Sequence, residues 1–411
     1  MQTSSDFGVY VHYPLCRRRC GYCDFAVVEQ PDFPAAAYTD RVCSELRARA
    51  DDYRDGTLRT IYFGGGTPSL WPVDQLARVI DAISASFSLA PRVEVTLEAN
   101  PGTLDAASLR AWRRAGINRL SLGVQALDDA LLRQLGRDHD AAEARAALRC
   151  AREAGFDNLS CDLICGVGGQ TVAQHLDQLA LLAALEPAHV SLYALTLSRG
   201  SALWRAGLRP AEEDTGAELL ERGREALEAA GYPQYEVSNF APPERRSRHN
   251  ALVWAGRPYL GLGAAAHSLQ LFGSRQVRVI NPPSSRYLGA GCAPAGATGA
   301  ATLAQPTVTH LAGARVRLLE PETARFEVML LGLRTVDGVG RAAYQARFGS
   351  DARSDFAASL QELERLGLVR SDRERIAPTA RGIWFADELA LRLLRPAPRA
   401  GGGRRAIDDS G

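Results

Sequence analysis

The chain has 411 residues, 46% hydrophobic and 23% charged, an ordinary globular composition that excludes intrinsic disorder and allows two domains. Its 48 Lys+Arg against 47 Asp+Glu leave a formal charge of +1, so it lacks the basic excess that grips a phosphate backbone, which argues against nucleic acid as a partner. The N-terminal MQTSSDFG has neither the basic n-region nor the apolar h-region of a leader, and no run approaches the ~18 apolar residues of a membrane span. The expectation is a cytoplasmic protein whose eight cysteines are metal ligands or free thiols rather than disulfides.

From residue 8 to about 240, short apolar runs alternate with helical periodicity. The runs are GVYVHY (8–13), TIYF (60–63), VEVTLE (93–98), RLSLGVQ (119–125), NLSCDLIC (158–165) and HVSLYALTL (189–197). Helices are predicted over 34–50, 73–86, 105–115, 140–155, 171–185 and 212–230. Strand, helix, strand in repetition implies parallel strands with right-handed crossovers, as in a partial barrel or an open wound sheet. In both, chemistry gathers where strands hand over to loops at their C-terminal ends.

The strand period of two sorts side chains by face. Val93, Val95 and Leu97 oppose Glu94, Thr96 and Glu98; Leu120, Leu122 and Val124 oppose Arg119, Ser121, Gly123 and Gln125; Cys161, Leu163 and Cys165 oppose Asp162 and Ile164. Each strand offers an apolar face to helices and a polar group near its end. Glu98, Gln125 and Asp162 either converge inside a barrel or make ordinary loop hydrogen bonds. GGGTPS (64–69) after the second run brings backbone N–H groups close to a ligand, or simply makes a tight turn.

The first run ends at CRRRCGYC (16–23). Three clustered thiols suit zinc or an iron–sulfur cluster, but the second Cys or His pair of structural zinc is absent. A [4Fe-4S] cluster on three cysteines leaves one iron open to the amino and carboxylate groups of S-adenosylmethionine, whose sulfonium an electron from the cluster can cleave. Cys43, Cys150, Cys161, Cys165 and Cys292 are dispersed and read as ordinary small, buried residues.

VYVHYPLCRRRCGYCDF, IYFGGGTPSLW, LEANPGT, INRLSLGVQALDDALLRQLGRDHD, DLICGVGGQT, SLYALTL, YPQYEVSNFA and RHNALVWAGRPYLGLGAAAHS together resemble the radical-SAM group that contains oxygen-independent coproporphyrinogen III oxidase and its paralogue, the HemW-type heme chaperone. The resemblance spans roughly residues 8 to 395. It implies an α/β fold, a radical-SAM partial (β/α)6 barrel with a smaller helical, winged-helix-like C-terminal domain. It also implies that Cys16, Cys20 and Cys23 ligate a [4Fe-4S] cluster. Tyr10, Tyr22, Gly65, Gly66 and Thr67 are implied around S-adenosylmethionine, with Glu98, Gln125, Arg137, Asp162 and Ile164 as further contacts and Tyr193 near the adenine. The carboxylates suit cationic and hydroxyl groups, and Arg137 suits a carboxylate.

Within the group, the oxidase pattern adds a cysteine where this chain has Phe25, and an N-terminal extension where only fifteen residues precede Cys16. Both differences resemble the chaperone branch. So does RHNALVW, matching H-N-x-x-Y-W at His249, Asn250 and Trp254 but with Val253 in place of Tyr. The resemblance therefore implies a chaperone that binds heme, with His249 as a candidate axial ligand and His267 as a secondary one. Its partners would be heme or another porphyrin, an electron donor and a heme-acceptor protein, for which a membrane-associated one is a candidate. The alternative is the oxidase, making protoporphyrinogen IX by radical decarboxylation. GVGGQT has Gly168 where the family usually has Pro, which reads as a looser loop. His12 reads as structural; His139, His175 and His189 read as surface or helix-end residues.

The expected organisation is a radical-SAM core over 1–240, a heme-motif extension with a Gly/Ala-rich linker over 241–310, a helical domain over 311–395 and a disordered tail over 396–411. A winged helix suggests DNA in isolation; the near-neutral charge favours a lid or docking surface.

Overall fold

A computed structural model describes residues 6–293 and 308–394. Most of the expected linker and the whole expected tail lie outside the described residues. The chain divides into two compact units, Met1–Glu320 and Pro321–Gly411.

In the first unit, six strands run in the order of the sequence: β1 (Phe7–Tyr13), β2 (Thr57–Gly65), β3 (Ser88–Ala99), β4 (Arg119–Gln125), β5 (Leu159–Cys165) and β6 (His189–Ala194). All five pairings between neighbours are parallel. The helices between them are α1 (Ala35–Arg49), α2 (Val73–Ser86), α3 (Ala106–Arg114), α4 (Asp129–Leu135), α5 (Ala141–Glu153) and α6 (Val172–Ala183). Side chains of Asp105, Asp128, Asp140 and Thr171 accept from backbone N–H groups at the starts of α3 to α6, satisfying donors that a helix cannot pair internally. The short α4 was not expected from the sequence. At two turns, capped by Asp128 and ended at Gly136 in the left-handed conformation, it is too brief for periodicity to reveal.

The face-sorting holds around the sheet. Val9, Val11, Ile61, Phe63, Val95, Leu97, Leu120, Leu122, Cys161, Leu163, Val190 and Leu192 pack in one apolar core. The opposite face carries Thr60, Glu94, Thr96, Arg119, Ser121, Ser160, His189 and Ser191, all buried. That polar interior corrects the reading of three histidines. His189 is 1% exposed, its ring nitrogens 2.7 Å from Ser160 Oγ and 2.9 Å from Tyr235 OH. His139 and His175 are buried as well: His139, in the loop before α5, has Nε2 3.0 Å from Val124 O, and His175, in the first turn of α6, packs against Gly223.

After α7 (Ala202–Arg205) and α8 (Glu213–Ala229), the sheet continues on both edges. β7 (Asn239–Phe240) pairs antiparallel with β6. Beyond α9 (Arg248–Trp254), β8 (Tyr259–Leu262) lies parallel to β1, followed by antiparallel β9 (His267–Phe272), β10 (Arg275–Ile280) and the strand Arg315–Leu319. A buried ion pair ties α1 to this extension. Arg49 Nη1 and Glu45 Oε1 are 2.7 Å apart with both side chains at 0% exposure. Arg49 also donates to Gly261 O and Ser268 Oγ, while Glu45 accepts from Gly263 N, Asn281 Nδ2 and Tyr287 OH.

The second unit has its own core, including Met329, Leu333, Tyr344, Leu360, Leu363, Ile376 and Leu389. Helices Pro321–Gly332, Arg341–Phe348, Ala357–Arg365 and Ala386–Leu394 accompany a small antiparallel sheet of Val339–Gly340, Arg375–Pro378 and Val369–Ser371. This is the helical, winged arrangement expected from the sequence. Among the described residues, no helix is long and apolar enough to cross a membrane.

Candidate functional site

A cavity of about 460 Å³ opens at the C-terminal ends of the parallel strands, within the ~300–1,000 Å³ of ordinary small-molecule sites. The loop after β1 supplies Cys16, Cys20, Tyr22 and Cys23; the turn after β2 supplies Gly65, Gly66 and Thr67. The ends of β3 to β6 add Glu98, Gln125, Asp162, Ile164 and Tyr193, and the residue after Gly136 adds Arg137.

The cysteine loop is held at both ends. Leu15 and Val28 form a parallel bridge, and Cys16 N donates to Val28 O at 2.9 Å. His12, on β1, has Nε2 2.9 Å from Ala26 O and Nδ1 3.0 Å from Tyr10 OH, the structural role read for it. The turn after β2 clamps the same loop: Gly66 N donates to Tyr13 O and Thr67 N to Leu15 O, both at 2.8 Å. A Cβ on Gly66 would lie 2.6 Å from Leu15 O, so only glycine lets the two loops approach this closely.

Hydrogen bonds reach the sulfurs. Thr67 Oγ1 donates to Cys16 Sγ at 3.5 Å and Arg137 Nη1 to Cys20 Sγ at 3.0 Å. Arg137 also donates to Tyr22 OH, Asn100 Oδ1 and Gly123 O. All four Nη protons are thereby spent inside the protein, and Nε is buried without a partner. In this arrangement Arg137 is a clamp on the cysteine loop at the cavity wall.

Burial pushes the Cys16 and Cys23 thiols above the usual range, and neighbouring sulfurs push in the same direction. Bringing three thiolates together here thus requires a cationic group to offset desolvation and repulsion. Among the described residues, no three His, Cys, Asp or Glu side chains close on a single ion position. Structural zinc wants four ligands; a polynuclear cluster takes one thiolate per iron, with sulfurs spaced around it.

At the floor, Glu98 accepts from Tyr62 OH at 2.8 Å and Gly65 N at 3.1 Å. Burial raises its pKa to about 7, with the nearby Asp162 carboxylate adding to the shift. Asp162, accepting from Ser121 Oγ, is raised by burial too.

Tyr10 and His249 lie elsewhere. Tyr10 packs behind the cavity, its ring 6.1 Å from Tyr62 and 6.4 Å from His249. His249 lies at the opposite end of the strands, beside Gly8 and Thr60. It is 5% exposed, with Nδ1 2.8 Å from Thr60 Oγ1 and its ring 5.0 Å from Tyr62. Burial, then Arg119, lowers its pKa to about 3, so the imidazole is neutral. In this conformation its ring is buried and held by Thr60. His267 opens β9, exposed, and does not line the cavity.

Gly168 is also read differently in the structure. Its N–H donates to Arg209 O at 3.0 Å, and a Cβ would stand 2.6 Å from that oxygen. The glycine permits a close crossing rather than loosening a loop. Asn100, which sequence reasoning passed over, lines the cavity between Thr67 and Arg137; its position two residues after Glu98 was the available signal.

Comparison with known proteins decides among the families that share such a rim. The Radical SAM superfamily matches residues 10–182, and the HemN C-terminal domain matches 319–385. The heme chaperone HemW of Lactococcus lactis is 33% identical over 94% of this chain and 96% of that protein. The chain belongs to the HemW family. HemW of Bacillus subtilis is 31% identical over 92% of the chain and 97% of its own length. A mitochondrial radical S-adenosyl methionine domain-containing protein 1 of Bos taurus is 34% identical over 94% of the chain and 87% of its own. Coproporphyrinogen III oxidase (HemN) of Escherichia coli superposes with a TM-score of 0.76 at 21% identity, covering 95% of the chain and 90% of that structure, a likeness of fold.

Proposed function

We propose that this chain is a radical-SAM heme chaperone. Cys16, Cys20 and Cys23 hold a [4Fe-4S] cluster, the adjoining cavity takes S-adenosylmethionine, and heme is bound and passed to an acceptor protein. The observation that carries the cofactor half is the opening of all three thiols onto one cavity with Glu98 and Asp162 at its other side. The donor set fits: three soft sulfurs, with Cys16 and Cys20 hydrogen-bonded by Thr67 and Arg137, and, among the described residues lining the cavity, no fourth Cys and no His to close an open iron. When bound, the cluster supplies an electron and S-adenosylmethionine the sulfonium that accepts it.

The residues around it have separable tasks. Gly65 to Thr67 bring a glycine turn against the cysteine loop, their N–H groups bonded to Glu98, Tyr13 and Leu15, and the absence of a Cβ on the glycines lets the two loops meet at the cavity wall. Glu98 and Asp162 offer carboxylates to a cation or to hydroxyls, while Gln125, at φ 64, turns its amide into the cavity from a bulged strand end. Tyr22 and Ile164 cover the sides and Tyr193, 42% exposed, stands at the mouth for stacking.

Heme delivery, rather than porphyrinogen oxidation, is supported by the names of the relatives and by Phe25. It is 62% exposed on the cavity rim, at the position where the oxidase pattern carries a further cysteine. The test is anaerobic: the reconstituted protein is titrated with heme and, separately, supplied with coproporphyrinogen III. A saturable Soret shift without protoporphyrinogen IX is expected; formation of protoporphyrinogen IX would replace the chaperone reading with the oxidase one.

A further inference from the structure

Asn100 follows β3 with its backbone pinned, since the N–H and hydroxyl of Thr103 donate to its carbonyl at 2.9 and 2.7 Å. Its side chain stands between Thr67 and Arg137, which reach the sulfurs of Cys16 and Cys20. On one side Arg137 Nη2 donates to Asn100 Oδ1 at 2.7 Å, while Arg137 Nη1 donates to Cys20 Sγ. On the other, Asn100 Nδ2 donates to Thr67 Oγ1 at 3.4 Å, and the Thr67 hydroxyl donates to Cys16 Sγ.

The direction of this chain of bonds follows from what each group can do. A guanidinium only donates, so the amide atom facing Arg137 is the oxygen, and the nitrogen must face Thr67. Thr67 has one hydroxyl proton. Because its oxygen accepts from the amide, that proton is left for Cys16. A Cβ on Gly123 would lie 2.9 Å from Asn100 Oδ1, so β4 leaves room for the amide.

We propose that Asn100 is a positioning residue for the cysteine loop, its amide fixing the directions in which Thr67 and Arg137 donate and so setting the hydrogen bonds that reach Cys16 and Cys20. The inference rests on the cluster reading above. Hydrogen bonds to ligating sulfurs stabilise the more negative, reduced cluster and raise its reduction potential. Asn100 thereby tunes the potential without touching the iron.

Asn100→Asp tests this, because it keeps the shape but accepts on both sides. Arg137 retains its partner, and Thr67 turns its proton from Cys16 to the new carboxylate. The midpoint potential of the anaerobically reconstituted cluster, followed by visible absorbance and electron paramagnetic resonance, is expected to fall in Asn100→Asp and in Thr67→Val. The double variant is expected to fall by less than the sum, since both changes remove the same O–H···S bond. Additive shifts mean that the new charge acts on its own and overturn the proposal, as does a potential equal to that of the wild type. A second measurement needs no cluster. Alkylation of Cys16 by iodoacetamide at fixed pH, read by peptide mass spectrometry, is expected to slow in Asn100→Asp, and to slow less when Thr67→Val is already present. Equal rates in all four proteins overturn the proposal. If the wild type assembles no cluster, the cofactor reading fails, and the alkylation rates still decide the role of Asn100.

Discussion

Glu98 sits where a cationic ligand would change its protonation. Its pKa of about 7 lies above its ordinary value of 4.5, so near neutrality the ligand-free protein carries a proton there that a cation would expel. Affinity for S-adenosylmethionine is therefore expected to rise with pH, by at most about tenfold per unit below pH 7, and to level off above it. Calorimetry in buffers of different ionisation enthalpy should register proton release, and Glu98→Gln should flatten the profile; Asp162 shares the titration, so the apparent value belongs to the pair. The same shift makes Glu98 a group whose stability contribution is complete below about pH 4.5 and is lost as pH rises through 7. At the rim, Gly66→Ala forces a Cβ against Leu15 O. The predicted result is reduced iron content after reconstitution, with the fold retained by circular dichroism. Much of this was legible. Period-two faces alone put Glu98, Gln125 and Asp162 on one side, and the cysteine spacing marked the loop. The clamp made by Arg137 was not legible, because its four donors meet partners from Cys20 to Gly123 that only the folded chain brings together.

Among the elements, α1 and α9 carry the most informative contacts. Arg49→Ala would leave the buried Glu45 carboxyl without its ion partner, at a cost of about 3–5 kcal/mol, whereas replacing both partners by apolar residues should cost far less. Urea denaturation of the two single variants and the double measures this. In α9, His249→Ala removes a ring packed on Tyr62 and strips Thr60 Oγ1 of its partner. A loss of roughly 2–4 kcal/mol is expected from the cavity and the unpaired hydroxyl, again by denaturation. The six strands and six long helices were readable because parallel strands buried by helices give clean apolar runs and each helix has an amphipathic stripe. β8 to β10 were not, since they are strands of four to six residues with glycine and alanine in or between them, too short for a clear alternation. The burial of His249 was equally invisible, because a histidine motif looks the same on a surface and inside a polar barrel.

For the whole molecule, a separate core behind Pro321 predicts that residues 321–394, expressed alone, fold with a cooperative thermal transition visible by circular dichroism; a non-cooperative, coil-like spectrum would show that the unit depends on the rest of the chain. The larger unit places two family motifs at opposite ends of the same strands: the cysteine loop at their C-terminal ends and His249 beside Gly8 and Thr60 near their starts. The cofactor reading depends only on the first. Its most direct test is electron paramagnetic resonance of the reduced, anaerobically reconstituted protein before and after addition of S-adenosylmethionine. The account predicts a [4Fe-4S] signal that changes line shape when the open iron takes the ligand, and that is lost in a Cys16→Ala, Cys20→Ala or Cys23→Ala variant. An identical spectrum with and without S-adenosylmethionine would contradict it.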